Sequence, residues 1–309
     1  MIKKPIIIVN LILIVLLLSS CTGQREGELT EYKYLSLNAP GMTPELFAPE
    51  FISVEDVQHC FPAISPDGLE VYWMHFKMEH RKGVIMFTRC NDGGWTKPDT
   101  ASFSGKVSDH APVVSPDGKK LYFVSDRPGG FGKGDIWFVN RTEDGWSEPQ
   151  NLGAPVNSDK SDSQPTFTRD GTIYFARTTE GLKFGWGIYR SRLVNGKYTE
   201  PELLPDIINT KEADYSPYIS PDESYLIFAS GREGRKSTET DLYISFRSAD
   251  DTWSEPVNMG DEINNGYTAT FPFVSYDGKY LFFNRFNESG TDAFYWVDAG
   301  IINLLKPDK

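Results

Sequence analysis

The chain carries few of the signatures that mark an enzyme. It has no Gly-x-Ser-x-Gly elbow and no His-Glu-x-x-His, which removes two common hydrolase sites from consideration. No glycine-rich phosphate loop follows a strand, and no Asp-x-Asp-x-Asp calcium loop is present. Positive charge is short as well. With 31 Lys and Arg against 43 Asp and Glu the net charge is −12, and it becomes −14 once Lys3 and Lys4 are discounted. This argues against nucleic acid, or an anionic bilayer surface, as a partner for the bulk of the protein. Cysteine is limited to Cys21, Cys60 and Cys90. The one sustained apolar run, residues 6 to 18 with Asn10 inside it, is too short for a comfortable transmembrane helix.

Preceded by Lys3 and Lys4, that run reads as a cleaved signal instead. It ends in Leu18-Ser19-Ser20-Cys21, which matches the bacterial lipobox. The match implies cleavage before Cys21 and a diacylglyceryl thioether on its sulfur, and several acyl chains together make a stable membrane anchor. Thr22, not Asp, follows the cysteine, which by the usual sorting rule directs the protein to the outer membrane. The expected organisation is a signal peptide over 1–20, a lipid-anchored tether over 21–43 and a single folded body over 44–309. As a flexible coil the tether would span about 25 Å.

What the sequence does contain is a repeat. Ser115-Pro116-Asp117-Gly118 stands between two apolar runs, and related text places its aspartate at Asp67, Asp117, Asp170, Asp222 and Asp277, intervals of 50, 53, 52 and 55 residues. Pro fixes φ, Asp bonds local N–H groups and Gly supplies positive φ, so the motif predicts a tight hairpin and a structural role for its carboxylate. Each unit holds three short β-branched and aromatic runs. A cassette such as Trp146-Ser147-Glu148-Pro149 or Tyr198-Thr199-Glu200-Pro201 then leads into a fourth. Four strands repeated about every 50 residues describe an all-β β-propeller. The last unit lacks the cassette, and Thr43-Pro44-Glu45-Leu46 supplies a copy ahead of the first. The count predicts five four-stranded blades, with six as the alternative, and an N-terminal strand completing the last blade. This topology sets Cys60 and Cys90 at opposite ends of one blade, too far apart for a disulfide.

With Asp135-Ile136-Trp137 and Asp241-Leu242-Tyr243 added, the pattern resembles the WD40-like (PD40) repeat of TolB-type propellers over residues 44 to 300. The resemblance implies the fold and, at its nearest, a lipid-anchored cell-envelope protein made of this propeller alone. Nothing corresponds to TolB's additional N-terminal domain, so TolB's own partner does not carry over.

Three residues ahead of each repeat proline stand His59, Asp109, Asp162, Asp214 and Ala269. His110 and Tyr215 follow two of these, and Arg127, Arg177, Arg232 and Arg285 recur near the ends of second strands. If first strands line the channel, these residues ring its mouth and suit a sugar, a peptide end or a cation. The competing reading pairs each Asp with an Arg to hold adjacent blades. His59 and His110 are possible metal ligands in a lyase-like site, while His75 and His80 read as solvated loop residues. Neither a resident metal nor a cofactor is expected. The function expected is a non-catalytic envelope module binding a protein or glycan, through the mouth or through the loops at 127–133, 183–186 and 231–240. The alternative is a polysaccharide lyase or glycoside hydrolase.

Overall fold

The computed structural model describes residues 33–307 apart from 50, 53–57, 78–81, 92–93, 183–184, 233–238, 266–267 and 287–291. The signal peptide, Cys21, the first part of the tether and His80 lie outside the described residues. The body is a five-bladed propeller. Blade 2 is representative: Asp109–Val114 is innermost, Lys120–Ser125 and Asp135–Thr142 follow outward, and Gln150–Asn151 forms the short outer strand.

The second strands are apolar at consecutive positions because a blade buries both faces. Leu121 and Phe123 pack with Ala63 and Tyr72 of blade 1, whereas Tyr122 and Val124 pack with Phe167 and Phe175 of blade 3. The repeat motif makes the hairpin between first and second strands. Gly118 donates its N–H to the Ser115 carbonyl at 2.8 Å with φ of 69°, and Asp117 accepts from the Ser115 hydroxyl at 2.6 Å and the Lys119 N–H at 3.0 Å. The repeated aspartate is a turn residue, as its neighbours predict.

Ring closure falls where the displaced cassette puts it. Glu45–Leu46 pairs antiparallel with Asp292–Asp298, Glu45 opposite Trp296 and Leu46 opposite Tyr295. The seam continues into the core through Phe47, whose N–H donates to the Phe294 carbonyl at 2.9 Å and whose ring meets Phe282 and Trp296 edge-on. Within residues 33–41, expected as the end of the tether, Tyr34 and Pro40 are buried against the body while 36–39 and 41 are exposed. Tyr34 is buried, with its N–H on the Gly68 carbonyl at 3.2 Å and its ring 5.0 Å from that of Tyr280.

The cassettes are more finely divided than the sequence suggests. Gly145–Trp146 extends the third strand as a small hairpin, and the outer strand begins only after the proline. The cassette aromatic reaches the preceding blade. Trp146 donates its indole N–H to Tyr72 Oη at 3.1 Å, and Trp253 stands edge-on to Tyr174. In Ser220-Pro221-Asp222-Glu223 the glutamate that replaces glycine, at φ of 60°, joins this contact by accepting the Tyr174 hydroxyl at 2.5 Å.

Candidate functional site at the channel mouth

First strands line the channel, and each carries a bulge. The residue before every repeat proline is left-handed: Phe61, Ala111, Gln164, Ser216 and Phe271 have φ between 49° and 59°. The pairing register slips by one at each of these points. The five prolines and their neighbours leave only about 50 Å³ of space, with the Phe61 and Phe271 rings 3.8 Å apart at their centroids. The channel is narrow here and lined mostly by apolar side chains, with Gln164, Thr166 and Ser216 among them.

Above it, three expected carboxylates meet three expected guanidinium groups. Arg127 reaches Asp109 at 2.8 Å, Arg177 reaches Asp162 at 2.5 Å and Arg232 reaches Asp214 at 3.2 Å. All three aspartates are fully buried. Their remaining valences are filled from the incoming connection: Ser104 Oγ donates to Asp109, and the N–H and hydroxyl groups of Ser158 and Thr210 donate to Asp162 and Asp214. Burial nevertheless raises the Asp162 pKa, with Arg177 opposing the shift. The guanidinium groups also bind loop carbonyls, those of Phe103, Val156 and Ile208, and lie over aromatic rings of their own blades. In blade 5 the acidic position is Ala269, and Arg285 binds the carbonyls of Ile263 and Glu262 while lying over Phe283 and Tyr295. Each unit is a clasp that ties the strand entering a blade to that blade's second strand.

A partner of this clasp escaped sequence reading. Asn157, Asn209 and Asn264 each accept from and donate to the backbone of a third-strand residue, Ile136, Ile188 and Leu242. The signal was available: an apolar-Asn pair stands five residues ahead of Asp162, Asp214 and Ala269.

The seam between blades 1 and 5 is built differently. His59 is buried and faces His75 across the strand pair, with the two Nε2 atoms 3.1 Å apart. His75 is therefore a half-buried strand residue and not the solvated loop residue expected. Burial pushes the His59 pKa down to about 4, and proximity to His75 adds to the effect. Asp292 accepts the His59 N–H at 2.8 Å and the Cys60 thiol at 2.9 Å, and burial lifts its carboxyl to about 6 in spite of both bonds. Cys60 and Cys90 are not joined in a disulfide, Cys60 lying at the mouth and Cys90 at the far end of the blade opposite Trp95. His110 stands apart from this group, its ring 6.1 Å from Phe61, and burial takes its pKa to about 4. Tyr215 meets the Thr240 hydroxyl at 3.3 Å. Among the described residues no group of three His, Cys, Asp or Glu is placed to hold a metal ion.

Outside the constriction, the loops of blades 2 and 3 enclose an open cleft of about 640 Å³. Asp135 shapes one wall by accepting the N–H groups of Phe131 and Gly132, and Gly132 lies so close to the Lys160 carbonyl that a Cβ there would clash with it. Phe131 is 54% exposed, and Lys133, Lys160 and Glu180 give the cleft charge of both signs.

Fold and geometry together define a five-bladed β-propeller closed by its own N-terminal strand. It is structurally similar to a TolB protein from Agrobacterium tumefaciens at 17% identity and a TM-score of 0.50, over 78% of this chain and 77% of that one. It is similar too to an α-L-arabinanase mutant from Cellvibrio cellulosa at 12% identity and a TM-score of 0.51, over 82% of this chain and 99% of that one. A puromycin-hydrolyzing peptidase from Mycobacterium tuberculosis matches at 16% identity and a TM-score of 0.44, and there the alignment covers 74% of this chain but only 34% of the peptidase. No protein-family model matches, and no curated protein sequence does. At these identities the likeness is one of fold.

Proposed function

We propose that this protein is a non-catalytic, lipid-anchored component of the bacterial cell envelope whose propeller binds a protein or glycan partner on its mouth face. One observation carries the reading. The aspartates that would serve acid–base chemistry are buried and bound to arginines and loop hydroxyls, while the open, chemically mixed surface lies in the loop cleft lined by Lys133, Lys160 and Glu180, with exposed Phe131 two residues from Lys133. Recognition by loops on a rigid scaffold needs no free catalytic pair. The lipobox at Cys21 and the acidic composition fit an anchored, soluble body.

Crosslinking in intact cells tests it. The expected result is one dominant adduct, lost on Phe131→Asp with Lys160→Glu and retained on Asp109→Asn. Retention of the adduct in the cleft variant would remove the cleft from the proposal.

A second reading, a carbohydrate-active enzyme, draws on the convergent imidazoles of His59 and His75 beside Asp292. It requires a divalent cation in the purified protein, or turnover of an acidic polysaccharide that is abolished by His75→Gln.

A further inference from the structure

The first contacts of residues 33–42 with the propeller all fall at one of its ends. Tyr34 is held at the end of the propeller that carries the Ser-Pro-Asp-Gly turns, on the Gly68 carbonyl of blade 1 and the Tyr280 ring of blade 5. The Gly41 carbonyl accepts the Asp298 N–H at 2.9 Å at the same end. Residues 22–32 are all that separate Cys21 from this attachment, a reach of roughly 40 Å at full extension. A six-residue strand is about 20 Å tall. Carrying Cys21 past the height of a blade to the plane of the mouth would consume about half of that reach, whereas beneath the turn face almost none is needed.

Apolar side chains left in solvent converge on this exit. Leu304 is 75% exposed on the last helix, Ile301–Leu304, Met42 is 45% exposed and Leu37 is 38% exposed. Met42 and the helix are neighbours, since a Cβ on Gly300 would stand 3.8 Å from the Met42 sulfur. Isolated exposed leucines need no explanation, but these three lie in the first and last stretches of the described chain, at residues 37, 42 and 304. Lys306, two residues beyond Leu304, is exposed.

We propose that the turn face is the membrane-facing side of the protein, with Leu37, Met42 and Leu304 entering the acyl boundary of a lipid bilayer, and that the channel mouth and its loop cleft point away from lipid. The proposal rests on the reading of Cys21 as the anchor. The contact is made by the apolar side chains alone, against the opposing charge of the turn aspartates Asp67 and Asp277 on the same face, and insertion to about 5–10 Å is the depth at which such side chains act.

Hydrogen exchange on the full mature chain, bound to phosphatidylethanolamine–phosphatidylglycerol vesicles or free in detergent, tests it. Vesicle binding is expected to slow exchange at residues 33–42 and 299–306 and to leave 126–134 unchanged, and Leu304→Asp is expected to abolish the protection around itself. Protection at 126–134 in place of the turn face, protection at neither, or protection that arises without vesicles from self-association would each overturn the proposal. Intact mass reports separately whether Cys21 carries a diacylglyceryl group. If it does not, the anchor reading fails, and the face is tested independently by coupling Cys21 of a Cys90→Ser variant to a maleimide phospholipid.

Discussion

Asp162 and Arg177 show how a pair of functional residue types becomes structural. The carboxylate is fully buried and the guanidinium nearly so, and both are saturated by the loop that enters blade 3. Removing one partner strands the other charge in a dry site, so Asp162→Ala is expected to cost about 3–5 kcal/mol in urea denaturation. The double variant Asp162→Ala with Arg177→Met is expected to recover part of that loss. The histidines make a different prediction. A histidine whose folded pKa is lowered from 6.5 to about 4 binds fewer protons folded than unfolded across that interval. Its stabilising contribution is therefore complete above pH 6.5 and is lost as pH falls toward 4. Asp292, raised from 3.8 to about 6, works against this, because it favours the folded state at the acid end of nearly the same window. Melting temperature is expected to fall from pH 6.5 to 4, less steeply in His110→Gln and more steeply in Asp292→Asn.

At the scale of the element, legibility followed locality. The Ser-Pro-Asp-Gly turns could be read because each bond in them spans at most five residues. The closing strand could be read because its cassette is a displaced copy of four others. The bulges could not, since a left-handed residue before proline contradicts local preference, and one consequence is specific. Ile64 faces Val71, and an unbroken ladder would set His59 against Phe76; the bulge at Phe61 shifts the register by one and sets it against His75. The imidazole pair was thus hidden behind the bulge. The Asp and Arg positions were visible as a ring, but residue types do not report burial, which decided their role. The seam gives a direct test. Phe47 is fully buried between Phe282 and Trp296, so Phe47→Ala is expected to lower stability by about 3–5 kcal/mol, measured by denaturant midpoint. The exposed seam residue Leu46 should tolerate alanine with a change of at most about 0.5 kcal/mol.

For the whole molecule, blade 5 takes its outer strand from the N-terminal side of the ring, two residues long with an aromatic cluster behind it, while each other blade completes itself with its own outer strand. A chain beginning at Gln58 would leave blade 5 with three strands and uncover Phe282 and Trp296. Such a truncation is expected to aggregate, as seen by size-exclusion chromatography, where the chain from Lys33 remains monodisperse.

The docking of Tyr34 has a mechanical meaning. Tension drawn through an N-terminal tether reaches the fold first at Tyr34, pinned to the Gly68 carbonyl and wedged against Tyr280. Only after that fastening slips does the pull arrive at Glu45–Leu46, where a strand held by so few ladder bonds would peel open bond by bond. Tyr34 thus acts as a strain relief for the seam, taking any pull on the chain ahead of it before the ring has to.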